Sequence, residues 1–284
     1  MKFFKFASVT KKVTLAIIGL FLIVFLLLHG AINLCLLLPD NGEWFKAAAH
    51  FMGTNWIIKV FEIVLMAAFV IHIVLAIILQ IQNWLARPIR YHIRTKSKVS
   101  LGSKLMIYTG ILVLIFLCIH FTDFYFVKHG FVEGKYQVEI KDLQKADTTQ
   151  VDYQKVQTNW ALLQTKYTKD KKGFENLSLK EIKTIFGDRF SLYEPDFYLM
   201  AKEKFHNIWY VILYVVLIFA LGLHLNHALQ SAFQTLGLNH SKYTPFIKLF
   251  STLYALLIFG IFAIIPVWIY FFEVLLPLLK AYFV

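Results

Sequence analysis

The sequence predicts an all-α membrane protein of five transmembrane helices, with a small insertion between the third and fourth. Three observations predict it. Of the 284 residues, 58% are hydrophobic and only 16% are charged. The hydrophobic residues collect in five runs, each long enough to cross a ~30 Å hydrocarbon layer at ~1.5 Å per residue. Lysine and arginine, which give the chain its net charge of +12, gather between and before those runs.

The runs are Val13–Leu38, Trp56–Leu85, Leu105–Val127, Ile208–Leu238 and Phe246–Leu279. The first follows Lys2, Lys5, Lys11 and Lys12, as a secretion signal would. It is too long for a signal core, and no small-x-small cleavage site follows Pro39 to Gly42, so it reads as a retained helix. These limits divide the chain into helices I–III (1–127), an insertion (128–207) and helices IV–V (208–284).

Basic residues in short connections set membrane orientation. The N-terminal segment, the second connection (Arg87, Arg90, Arg94, Lys96, Lys98, Lys104) and the fourth (Lys242, Lys248) are basic, whereas the first mixes Lys46 and Lys59 with Asp40, Glu43 and Glu62. The expected N-terminus is therefore cytoplasmic, and five crossings put the C-terminus and the insertion outside. In the insertion, Tyr136, Val138 and Ile140 alternate with polar residues, which predicts a strand. Ser178 to Glu181 forms a capping box with Gly187 closing the helix it starts, and Glu194-Pro195-Asp196 leads into the next helix.

Four of the ten histidines, His29, His72, His120 and His224, lie inside four different apolar runs. Histidine is costly in hydrocarbon and marks function there. Counted from the outer helix ends, His29 and His120 lie ~15 and ~12 Å deep, and His72 and His224 ~24 and ~27 Å deep. Two imidazoles at each of two levels suit two b-type haems, so the first four helices are expected to form a haem-binding bundle. The first and third runs echo each other: Gly19 and Gly110 precede His29 and His120 by ten residues, and Phe25 and Phe116 precede them by four. Small residues at Gly19 and Gly110 suit either a flat macrocycle or close helix packing. His227 shares a helix face with His224 and is an alternative ligand or a propionate partner. His50, His92, His129, His206 and His240 fall in loops or at helix ends.

His29 through Asn33, Phe61 through Pro88 around His72, Phe116 through Phe121, and above all Leu223 through Gly237 resemble the dihaem cytochrome b membrane subunit of succinate:quinone oxidoreductases and fumarate reductases, in its form with one five-helix polypeptide. The likeness covers the first four helices and leaves out most of 128–207. It implies that His29 and His120 ligate a distal haem, that His72 and His224 ligate a proximal one, and that His224 rather than His227 is the ligand. It also implies cytoplasmic flavoprotein and iron–sulfur partner subunits that carry the dicarboxylate chemistry, a quinone of the menaquinone type, and residence in a bacterial cytoplasmic membrane. Some members carry a glutamate two residues before the last ligand, linked to proton movement; here that position is Gly222.

Arg87 and Arg90, after the helix of His72, are propionate candidates. Quinone chemistry needs a proton-exchanging group; Glu43 is the candidate, with Glu62 and Asp123 also at the outer side, and Asn33 and Asp123 are possible hydrogen-bonding partners of haem groups. Cys35 and Cys118 are too few for an iron–sulfur cluster. The chain has no GxGxxG fingerprint and no P-loop, and its basic residues flank apolar runs rather than forming a nucleic-acid module. Two other readings are a dihaem anchor of a different respiratory dehydrogenase and a haem-free transporter with histidine proton relays. The transporter predicts broken helices, but only Pro266 and Pro277, both in the last run, interrupt a run.

Overall fold

The computed structural model describes residues 8–86, 101–139, 153–168, 173–186 and 194–283. The chain is an all-α membrane protein: among the described residues five helices are long and apolar enough to span a bilayer, over Val9–Leu37, Trp56–Leu85, Leu105–Lys128, Ile208–Thr235 and Thr244–Tyr282. The chain divides into two compact units. The first comprises Met1–Leu37, Phe51–Phe116 and Ile212–Trp268; the second comprises Leu38–His50, Leu117–Val211 and Ile269–Val284.

In the first unit, helix α1 (Ser8–Leu34) lies against helix α3 (Trp56–Leu85), with Phe21 and Phe61 in ring contact at 5.3 Å. Helix α3 starts where it does because Asn55 caps it: the Asn55 side chain accepts the free N–H groups of Ile57 (2.9 Å) and Ile58 (3.4 Å). Helix α4 (Leu101–His120) carries the third span. The fourth and fifth are α9 (Ile208–Thr235) and α10 (Thr244–Tyr270). A core of Ile23, Leu221, Leu225, Leu229, Ala255 and Ile258 joins α1, α9 and α10. The Tyr254 hydroxyl donates to the Ile23 carbonyl at 2.5 Å, adding a polar fastening to that apolar seam.

Between the first two spans the chain turns at Asp40–Gly42 and enters an additional helix, α2 (Glu43–Thr54). Gly42 adopts φ +81° against the Tyr198 ring, a combination of backbone and space that a Cβ would not fit. Asp40 accepts the Gly42 (2.9 Å) and Trp44 (2.8 Å) N–H groups. Helix α2 is amphipathic: Phe45 is buried while Trp44 and Phe51 are exposed.

The second unit holds a four-stranded antiparallel sheet in the order β2-β3-β1-β4: β1 (Lys135–Glu139), β2 (Tyr167–Thr168), β3 (Gly173–Ser178) and β4 (Glu194–Pro195). Helices α5 (Tyr153–Thr158), α6 (Trp160–Lys166) and α7 (Leu179–Phe186) accompany it. The expected alternation holds, since Tyr136 and Val138 of β1 are buried with Leu163, Leu177, Ile182 and Ile185; Ile140 lies outside the described residues. The capping box also forms: Glu181 N–H donates to Ser178 Oγ (3.3 Å), and Ser178 N–H donates to Glu181 Oε2 (2.7 Å). Gly187 is outside the described residues. Asp196 caps α8 (Phe197–Phe205), a separate helix before the fourth span, by accepting the Leu199 N–H at 3.0 Å.

Two spans contain π-helical turns. Phe121–Tyr125 follows α4 and is continued by one helical turn, Phe126–Lys128; Phe271–Leu275 joins α10 to α11 (Leu276–Phe283). Each wide turn carries one carboxylate, Asp123 or Glu273, and each carboxylate meets a lysine of α8. Lys204 lies 2.6 Å from Asp123 and Lys202 lies 2.8 Å from Glu273.

Candidate functional site

The first unit brings together two of the four intramembrane histidines, His72 from α3 and His224 from α9. Each ring sits against a glycine of another helix. A Cβ at Gly19 of α1 would lie 3.8 Å from His72 Cε1, and one at Gly110 of α4 would lie 3.6 Å from His224 Cε1. The echo between the first and third spans thus has a structural meaning: each glycine faces the histidine of another span. Since Gly19 precedes His29 by ten residues, the His72 ring stands ~15 Å along α1 from His29. The same ten-residue spacing separates Gly110 from His120 on α4.

The surroundings of the two rings differ. His72 Nδ1 is buried and has no hydrogen-bond partner. His224 Nδ1 lies 3.4 Å from the Thr109 hydroxyl. Thr109 is 6% exposed, and its hydroxyl is within 3.0 Å of the Met106 carbonyl and 3.2 Å of the Leu105 carbonyl. Sequence reading passed over Thr109. Its one signal was position: it immediately precedes Gly110, where the echo has Ile18 before Gly19.

These residues fit an axially ligated haem. Two imidazoles come from different helices, the backbone beside each ring is bare of side chain, and one ring has a buried nitrogen that no protein group satisfies. Among the described residues no group of three or more His, Cys, Asp or Glu gathers as a site for a bare metal ion.

The other pair divides between the units: His29 belongs to the first and His120 to the second. Phe25 stacks on His29 with centroids 5.3 Å apart and planes 18° apart, as the four-residue spacing anticipates. Phe262 of α10 lies on the same ring at 5.7 Å. His29 Nε2 accepts from the Asn33 amide at 3.1 Å, so this nitrogen is engaged within its own helix. His120 is flanked by Phe121 (6.5 Å) and Phe124 (5.2 Å). Phe116 meets Tyr214 edge-on at 5.4 Å.

Arg87 and Arg90 lie outside the described residues. Glu43 is exposed in the first turn of α2, and Glu62 is half-buried near the start of α3. Asp123 is buried, with Lys204 on one oxygen and the Tyr210 hydroxyl donating to the other. Gly222 faces α10, where a Cβ would lie 3.4 Å from Phe259 Cβ and 3.6 Å from the Ala255 carbonyl. Those are ordinary van der Waals distances. His227 is half-buried. Cys35 and Cys118 are free thiols, as two isolated apolar-segment cysteines would be. Lys11, one of the basic residues before the first run, is 6% exposed and donates to Gln82 Oε1 at 3.3 Å.

Comparison of the chain with protein-family models, with curated proteins and with solved structures returned no match.

Proposed function

We propose that this chain is the membrane-anchor and electron-transfer subunit of a succinate:quinone oxidoreductase or fumarate reductase, carrying two b haems. His72 and His224 are assigned to the proximal haem. His29 and His120 are assigned to the distal haem on their sequence context. The observation that carries the reading is the glycine-backed seating of His72 and His224. Bound there, haem supplies a one-electron relay through the bilayer. The chain's own part is to hold the imidazoles, to keep bulk away from their faces at Gly19 and Gly110, and to enclose them in hydrocarbon. In this reading a flavoprotein and an iron–sulfur subunit dock on the cytoplasmic side, dicarboxylate chemistry occurs on them, and a quinone, of the menaquinone type, exchanges electrons at the membrane subunit. The N-terminus is cytoplasmic and the C-terminus extracytoplasmic, in a bacterial cytoplasmic membrane. The proton-exchanging group is assigned to Glu43, exposed in the first turn of α2, because both oxygens of Asp123 are already engaged.

The test is a reduced-minus-oxidised spectrum of the protein purified from its own membrane. Two b haems per chain, with bis-imidazole low-spin signals, are expected; absence of a Soret band ends the proposal. A dihaem anchor of another respiratory dehydrogenase would share these histidines, and the flavin-containing subunit that co-purifies separates the two.

A further inference from the structure

We propose that Thr109 is a positioning residue for His224, holding its ring as the Nδ1–H tautomer and so leaving the Nε2 lone pair for iron. This rests on the reading of His224 as a haem ligand. A threonine hydroxyl has one proton. Here that proton is directed back into α4, where the Met106 and Leu105 carbonyls lie 3.0 and 3.2 Å from Oγ1. What remains for His224 Nδ1, 3.4 Å away, is an oxygen lone pair, and only a protonated Nδ1 can use it. A neutral imidazole has one N–H, so fixing it at Nδ1 makes Nε2 the basic nitrogen.

The neighbouring residue completes the device. Gly110 leaves bare backbone beside Cε1 and Nδ1, so the ring can lie close to α4 while the hydroxyl meets its edge. Thr109 is itself nearly fully buried, which removes water as a competing partner. His72 is the internal contrast. It has the glycine, Gly19, but the residue before that glycine is Ile18, and His72 Nδ1 has no partner. The two imidazoles are therefore unequal: His224 has an acceptor that raises its donor strength and fixes its orientation, and His72 has none.

The experiment uses the full membrane protein with its partners, in wild type, T109V, T109A, T109S and H224A forms. Haem content, the midpoint potential of each haem and the low-spin electron paramagnetic resonance signals are read. H224A identifies the haem concerned by its loss. T109V and T109A are expected to raise the potential of that same haem and weaken its retention about tenfold or more, with the second haem unmoved; T109S keeps the wild-type values. Unchanged potential and retention in T109V or T109A overturns the inference, as does a T109S that behaves like T109V. If T109V fails to accumulate, T109A decides. A wild-type protein without haem, or H224A with both haems intact, overturns the parent reading instead.

Discussion

The two compact units differ in how their charged side chains are met. In the second, buried charge is met by opposite charge: Asp196, 2% exposed, lies 2.6 Å from Lys46, which also reaches Glu175 at 3.3 Å. Asp123 meets Lys204, and Glu273 meets Lys202 and His206. In the first, polar groups are left with neutral partners or none. Lys11 has the Gln82 amide, His224 a hydroxyl, and His72 Nδ1 nothing. Unsatisfied polar groups in a low-dielectric interior carry a real cost, and they persist where something else completes them. Charged pairs hold a fold together; the histidine pair, which has no counter-charge, is where a ligand is proposed to bind.

Substitution of the incomplete groups sharpens this contrast most. H72A and H224A are each expected to leave one haem per chain instead of two, and to lose the same one, with helical circular dichroism unchanged. Two haems retained in either variant would erase the distinction between the units. The next effect is in the completed pairs. K46M leaves the Asp196 carboxylate buried without its counter-charge, which costs about 3–5 kcal/mol in thermal unfolding of the second unit. A variant as stable as wild type would mean that Asp196 is held by its helix cap alone. Smaller again is S178A, which removes one arm of the capping box at α7 and costs about 1 kcal/mol, read in the same unfolding transition. Smallest is Asp40, on the exposed turn before α2. The Trp44 N–H, ahead of the Gly42 N–H, holds its carboxyl below the ordinary aspartate range. A lowered folded-state pKa gives stability that is present above the unfolded value and is lost as pH falls through the folded one. D40N is therefore expected to speed amide exchange at Gly42 and Trp44 near neutrality, with the difference from wild type vanishing in acid.

Spans were legible in the sequence because bilayer thickness dictates their length. Trp56–Leu85 appears with the limits its apolar run gives, and the fourth span begins at Ile208 as expected. Local chemistry was legible too, as the Ser178–Glu181 box shows. Helix α2 escaped because twelve residues rich in alanine and aromatics sit between two apolar runs and read as loop. Strands β2 and β4 have two residues each and exist only through pairing with distant partners. The π-helical turns at Asp123 and Glu273 leave no periodic trace in so short a stretch. At the site, the histidines announced themselves by being polar where polarity is costly. Thr109 did not, because a threonine bonded to its own helix is unremarked in a span, and only the approach of His224 gives it a role.

The bond from Tyr254 to the Ile23 carbonyl joins residues 231 positions apart. At roughly 5–20 residues synthesised per second, the first helix waits roughly 10–50 s for the last to emerge from the ribosome. Throughout that interval the ridge around Ile23 must be sheltered by lipid or by the insertion machinery. Biogenesis of this protein is thus a matter of parking an early helix until a late one can lock it, and slowing translation between the two lengthens its most vulnerable period.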